Sequence, residues 1–239
     1  MDLIIKGGQV PSTTFGSQLT PLIIDPTFGA ARVVLKPDEW NGAVAGFNGG
    51  HYSTAFESGL LTGVAAAGAV FSFRAPPSGV ALLKKLRVGW VLTTAYTTAQ
   101  ATDFDVIKCT GFTASDSGGT TLTPAAQTNT STNKKRTSLM NSSALADLRI
   151  STTAALTAGT KVQDAFPFAV LNYPKQSATN TALVTGTELV DLYIQNAMAE
   201  HPMTFQPNEG FNIRAVTAMG ATGVIKLYVK VEWVEAPGL

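Results

Sequence analysis

Cysteine, histidine and charge are all scarce in this sequence. There is one cysteine, Cys109, and there are two histidines, His51 and His201. A single cysteine excludes an intramolecular disulfide and any multi-cysteine metal site. The two histidines lie far apart, and neither has a partner at metal-ligand spacing. Charged residues make up 14% of the 239, low for a soluble domain, and they almost cancel to a net +1. That leaves no electrostatic footprint for nucleic acid or an anionic membrane. The one basic run, Lys134-Lys135-Arg136, is short and has no aromatic neighbours on which bases could stack, so it reads as a solvated loop tip. Long apolar runs are missing too. The longest, Val64 to Phe71, is too short to span a bilayer. Met1 to Lys6 lacks the basic start and long apolar core of a secretory signal, which predicts a protein made in the cytoplasm. No glycine-rich phosphate loop and no carboxylate pair at catalytic spacing stands out. These residues predict no cofactor, no metal and no enzymatic activity.

What the chain does have is strand pattern. Between Gly223 and Glu235, Ile225, Leu227, Val229, Val231 and Trp233 fall on one side of an extended strand, with Lys226, Tyr228, Lys230 and Glu232 on the other. Burying five such side chains contributes on the order of 10 kcal/mol gross, before ordering entropy is subtracted. The small, glycine-bearing stretch from Ala218 to Gly223 predicts a hairpin joining this strand to Phe211–Thr217. Further strands are expected over Val70–Arg74, over Leu86–Thr98 with Leu86, Val88, Trp90 and Leu92 on one face, and over Phe104–Phe112. In the last of these Phe104, Val106 and, less cleanly, Lys108 lie opposite Ile107 and Cys109. Glu188–Gln195 alternates as well, and Asn141–Leu148 predicts a helical turn running into a strand that ends near Ser151. Asp147 and Arg149, two apart, share a side and can pair. Ser115–Lys135 has no apolar period and is expected to be a long exposed loop. About eight strands with almost no helix predict an all-β fold, a two-sheet, jelly-roll-like sandwich over 51–239.

Residues 1–50 differ. Three short apolar clusters (Leu3, Ile4, Ile5; Leu22, Ile23, Ile24; Val33, Val34, Leu35) are separated by glycines and by Pro11, Pro21 and Pro26, with Pro37 closing the last. Proline removes a ladder donor each time, and such a segment has too little apolar surface for its own core. The expectation is an extended N-terminal arm that lies along a partner, with edge strands of the main sheet as the alternative.

Asp116-Ser117-Gly118-Gly119 invites comparison with a serine-protease nucleophile turn, since His51 and Asp103 precede it in the matching order. The first glycine of that turn is replaced by Ser115, Asp103 is too close in sequence, and Gly49-Gly50-His51-Tyr52 has none of the usual context. Turn chemistry accounts for the motif better.

Several stretches carry a family resemblance. They are Gly111-Phe112-Thr113, Ser117-Gly118-Gly119-Thr120, Lys134-Lys135-Arg136-Thr137-Ser138 and Asp147-Leu148-Arg149-Ile150. Thr153 to Thr160, Asp164 to Phe168, Asn208 to Arg214 and Val229-Lys230-Val231-Glu232-Trp233 continue the series. Over roughly residues 70–236 the chain is similar to virion structural proteins of tailed bacteriophages that form trimeric jelly-roll decorations or related particle components. The resemblance implies a non-enzymatic head decoration or cement protein, a homotrimer on the capsid surface whose partners are the major capsid protein or other virion proteins. The nine apolar residues of the arm are then the candidate capsid contacts, because extended arms bind neighbours through backbone hydrogen bonds and repetition over a shell adds avidity. A carbohydrate- or receptor-binding tail component is the alternative, with Trp40, Trp90 and Tyr96 as the aromatic platform it needs.

Overall fold

The alternation read in the last strand is borne out in a computed structural model, which describes residues 23–24, 31–32, 50–98, 100–121, 146–176, 189–195 and 203–237. Ile225, Leu227, Val229, Val231 and Trp233 are buried, and the residues between them are only half-buried. The strands, in chain order, are β1 (Ile23–Ile24), β2 (Ala31–Arg32), β3 (Gly50–Glu57), β4 (Ala69–Arg74), β5 (Gly79–Thr94), β6 (Gln100–Thr110) and β7 (Thr120–Thr121). They continue with β8 (Asp147–Ile150), β9 (Val162–Gln163), β10 (Ala169–Gln176), β11 (Val190–Ile194), β12 (Met203–Phe205), β13 (Gly210–Ala215) and β14 (Val224–Pro237).

Two antiparallel sheets form the sandwich. One runs β11-β5-β14-β3, with β12 extending the β5 edge, and the other runs β10-β6-β13-β4-β8-β7, with β9 beside β6. The pairings β6 with β10, β5 with β11, β4 with β13 and β3 with β14 are those of one long hairpin, bent between β6 and β10 and rolled so that its strand pairs fall alternately in the two sheets. That strand order is the jelly roll. It also corrects one expectation. β13 and β14 do not form a hairpin, because β13 pairs with β4 and β6 in one sheet while β14 pairs with β3 and β5 in the other. A short glycine-bearing link is compatible with a crossing between sheets as well as with a tight turn, and residue types alone do not separate the two.

β5 and β14 form the longest ladder, from Val224 opposite Thr94 to Pro237 opposite Gly79. Its register shifts between Glu232 and Trp233, where Lys84 is the extra residue on β5. A bulge of this kind resets the in-out phase. Leu83 and Leu86 therefore both reach the core while Lys84 and Lys85 stay at the surface. On the inward faces Tyr52 stacks on its cross-strand neighbour Trp233 at 5.3 Å in one sheet, and Phe73 on its neighbour Phe211 at 5.2 Å in the other.

β1 and β2 make a separate two-stranded ladder, Ile23 opposite Arg32 and Ile24 opposite Ala31. Of the predicted arm contacts, Leu3, Ile4, Ile5, Leu22, Val33, Val34 and Leu35 lie outside the described residues. So do 141–145, the start of the predicted helical turn. From Asp147 the chain is the strand β8, on which Arg149 Nε meets Asp147 Oδ2 at 3.5 Å.

Candidate functional site

Register decides which side chains leave the core of the β10-β6-β13-β4 sheet. Ser72, Asn212 and Ile107 are aligned across β4, β13 and β6, and Arg74, Gly210 and Cys109 form the next row on the same face. This is the outer face, yet it is not open to solvent. Ile107, Cys109 and Phe112 form a second apolar cluster there. Chain from 111–119 and 151–161 covers them, joined by paired backbone bonds between Ser117 and Thr157 at 2.9 Å. Gly159 lets these segments close together, since a Cβ on it would lie 2.3 Å from the carbonyl oxygen of Ala114.

Asp116 is the centre of that covered face. Its carboxylate accepts the Gly159 N–H at 2.7 Å and the ammonium of Lys161 on Oδ1, and Asn212 Nδ2 at 2.8 Å on Oδ2. Asn212 is itself buried, donates to the Phe71 carbonyl at 3.3 Å, and receives the Cys109 thiol at 3.0 Å on Oδ1. The side chains of Lys161 and Asp116 are 4% and 0% exposed, so this ion pair is shielded from water. Burial pushes the Asp116 carboxyl up, but hydrogen bonds from Lys161, Gly159, Ser72 and Asn212 outweigh it and hold the group below the ordinary carboxylate value. Burial raises Cys109 to about 12, so it stays a thiol and is neither a nucleophile nor a metal ligand near neutral pH.

Phe112 roofs the cluster, with Lys161 Nζ at 5.4 Å and Arg74 Cζ at 5.8 Å from its ring centre. Arg74 also donates to Ser115 Oγ at 2.8 Å, the Phe112 carbonyl at 3.2 Å and Asn208 Oδ1 at 2.5 Å. Along the same face Arg214 grips Asp105 through two bonds of 2.7 and 2.9 Å, which raises the guanidinium further.

A second buried acid lies on the other sheet. Glu235 accepts Trp233 Nε1 at 2.7 Å and the Ala146 N–H at 2.8 Å on Oε1. Its Oε2 is buried with no hydrogen-bond partner among the described residues. Burial raises this carboxyl from its ordinary 4.5 to about 7, although both hydrogen bonds pull the other way.

These positions correct several sequence expectations. Residues 117–121 are exposed as expected, but the stretch is anchored rather than free: Asp116 is buried, Ser117 bridges to Thr157, and Thr120–Thr121 pairs with β8, while 122–135 lies outside the described residues. The carboxylate of the protease-like turn is committed to Lys161, Gly159 and Asn212, which leaves turn chemistry as its explanation. Trp90 and Tyr96 are buried in the core and offer no platform for a sugar ring; Trp40 is outside the described residues. Among the described residues no group of three His, Cys, Asp or Glu can hold a metal, and no helix is long and apolar enough to cross a membrane.

Sequence reading missed the cluster itself. Asp116, Lys161 and Asn212 are far apart in the chain and meet only through the register of β13 and the path of the covering segments. It also missed the exposed apolar limb beside β6, where Val162, Phe166 and Val170 face solvent, Phe166 at 83% exposure. Comparison with protein families, with characterised proteins and with solved structures finds no match for this chain.

Proposed function

We propose that this chain is a non-enzymatic structural protein of a tailed-bacteriophage virion, a head decoration or cement protein that binds and stabilises the capsid shell. In this reading it is a homotrimer at the capsid surface. Its partners are the major capsid protein or other virion proteins, and residues 1–50 are the arm that holds it there.

The observation that carries the reading is an apolar limb on an edge of a jelly roll. Val162, Phe166 and Val170 are exposed along β9, the segment after it and β10, the edge strand beside β6. Register sets Val162, opposite Thr110, and Val170, opposite Asp105, on the two faces of this edge, so an edge strand here offers a partner both backbone and apolar contacts. Jelly rolls serve viral capsids and lectins. The lectin-like alternative has lost two of its three aromatic candidates to the core, which favours a particle protein. The buried outer face fits the same role, because covering both faces of a sheet yields a stiff, protected module.

Electron microscopy of purified particles with and without this protein tests the proposal. Density of jelly-roll size at regular positions on the shell, absent from particles lacking the protein, is expected. Identical shells, or density confined to the tail tip, would contradict it.

A further inference from the structure

A lysine, a carboxylate and a carboxamide that are all buried and joined through one another form an unusual set. Lys161 Nζ and Asn212 Nδ2 are bound to the two oxygens of one Asp116 carboxylate. Phe112 shields the ammonium, and the covering chain excludes water from all three side chains. A buried ion pair costs much of its Coulombic gain in desolvation, which favours transient proton transfer from the ammonium to the carboxylate within it.

We propose that Lys161 and Asn212 become joined by an intramolecular isopeptide bond, with Asp116 as the proton relay between them. Lys161 Nζ passes a proton to Asp116 and attacks Cγ of Asn212 as a neutral amine. The bond between Cγ and Nδ2 breaks, and an amide bond between Cγ and Nζ forms. Two protons leave Nζ in turn through Asp116 to the departing nitrogen, which is released as ammonium, and Asp116 ends as the carboxylate it began as. Asp116 Oδ2 lies 2.8 Å from Nδ2, the nitrogen that must be protonated to leave. The Cys109 S–H, 3.0 Å from Asn212 Oδ1, is the donor to the oxygen on which negative charge develops.

Each chain reacts once, so a small population of the neutral pair is enough. Groups held together by the fold react far faster than the same groups free in solution. The product ties the covering segment before β9 to β13 in the middle of the sheet, which suits a module that must not open.

Mass spectrometry of the purified full-length protein tests this directly. The expected result is an intact mass one ammonia below that of the sequence, with a tryptic species that links the peptides carrying Lys161 and Asn212 and no cleavage after Lys161. Lys161→Arg, which keeps the positive charge beside Asp116, and Asp116→Asn should both return the full sequence mass. Wild-type protein at the full sequence mass, with cleavage after Lys161, means a plain buried ion pair and overturns the proposal. A mass one water lower, with Lys161 linked to Asp116, overturns it as well. Because the decisive reading is made on the wild-type chain, poor folding of a variant leaves the result intact.

Discussion

Phe73 and Trp233 meet edge to face with ring centres 5.7 Å apart, although β4 and β14 belong to opposite sheets. The pair links the two layers where Tyr52, Phe205 and Phe211 also converge. Trp233→Ala removes the largest part of that contact and also a donor to Glu235. It should cost about 3–5 kcal/mol, as for other buried aromatic truncations, read as a lower urea midpoint at unchanged m-value.

Asp116 and Ser117 are adjacent, yet their substitutions should differ widely in cost. Asp116→Ala leaves the Lys161 ammonium buried without its anion, a change expected to destabilise by about 3–5 kcal/mol. Ser117→Ala, at an exposed side chain whose bridge to Thr157 is made by backbone, should change stability by no more than about 0.5 kcal/mol. Equal, small effects in chemical denaturation would mean that the 111–119 segment is not packed on the sheet.

Glu235 makes stability depend on pH. Its folded value is raised from 4.5 to about 7, so its contribution is complete below about 4.5 and is lost as pH rises through 7. The size of the loss is about 3 kcal/mol, from a shift worth about 1.4 kcal/mol for each unit. Glu235→Gln should remain flatter between pH 5 and 8 in unfolding experiments, whereas wild type should weaken across that range. Parallel curves for the two proteins would place the titration elsewhere.

The sandwich was legible because strand alternation is local. Ile225 to Trp233 and Leu86 to Leu92 each show their buried face within one window of sequence. The misassigned β13–β14 hairpin marks where local signals stop, since sheet membership depends on long-range pairing. The Asp116 cluster was illegible for a related reason. In sequence Asp116 sits in a polar, glycine-rich stretch that looks like any solvated loop, and only the alignment of Asn212 with Ile107 and Ser72 shows that a covered face lies beneath it. Phe166 was overlooked because an exposed phenylalanine in a short segment has no period to betray it.

Phe166, Val162 and Val170 should lie between copies of the chain if the trimer forms through the β9–β10 edge. Solution mass at micromolar concentration is then about three times 25.0 kDa for wild type. Phe166→Asp should shift it toward one chain without lowering the unfolding midpoint of the monomer. A wild-type monomer at every concentration would rule out this interface.

The proposed attachment to a capsid through residues 1–50 is measured most directly by binding to capsids purified without the protein. Full-length protein should bind saturably. A truncated chain starting at Tyr52, which keeps nearly all of β3 and every later strand, should be soluble and β-rich but bind weakly or not at all. A truncated chain that folds and binds as tightly as the full-length protein, or a full-length protein that does not bind the capsids, would contradict attachment through the arm.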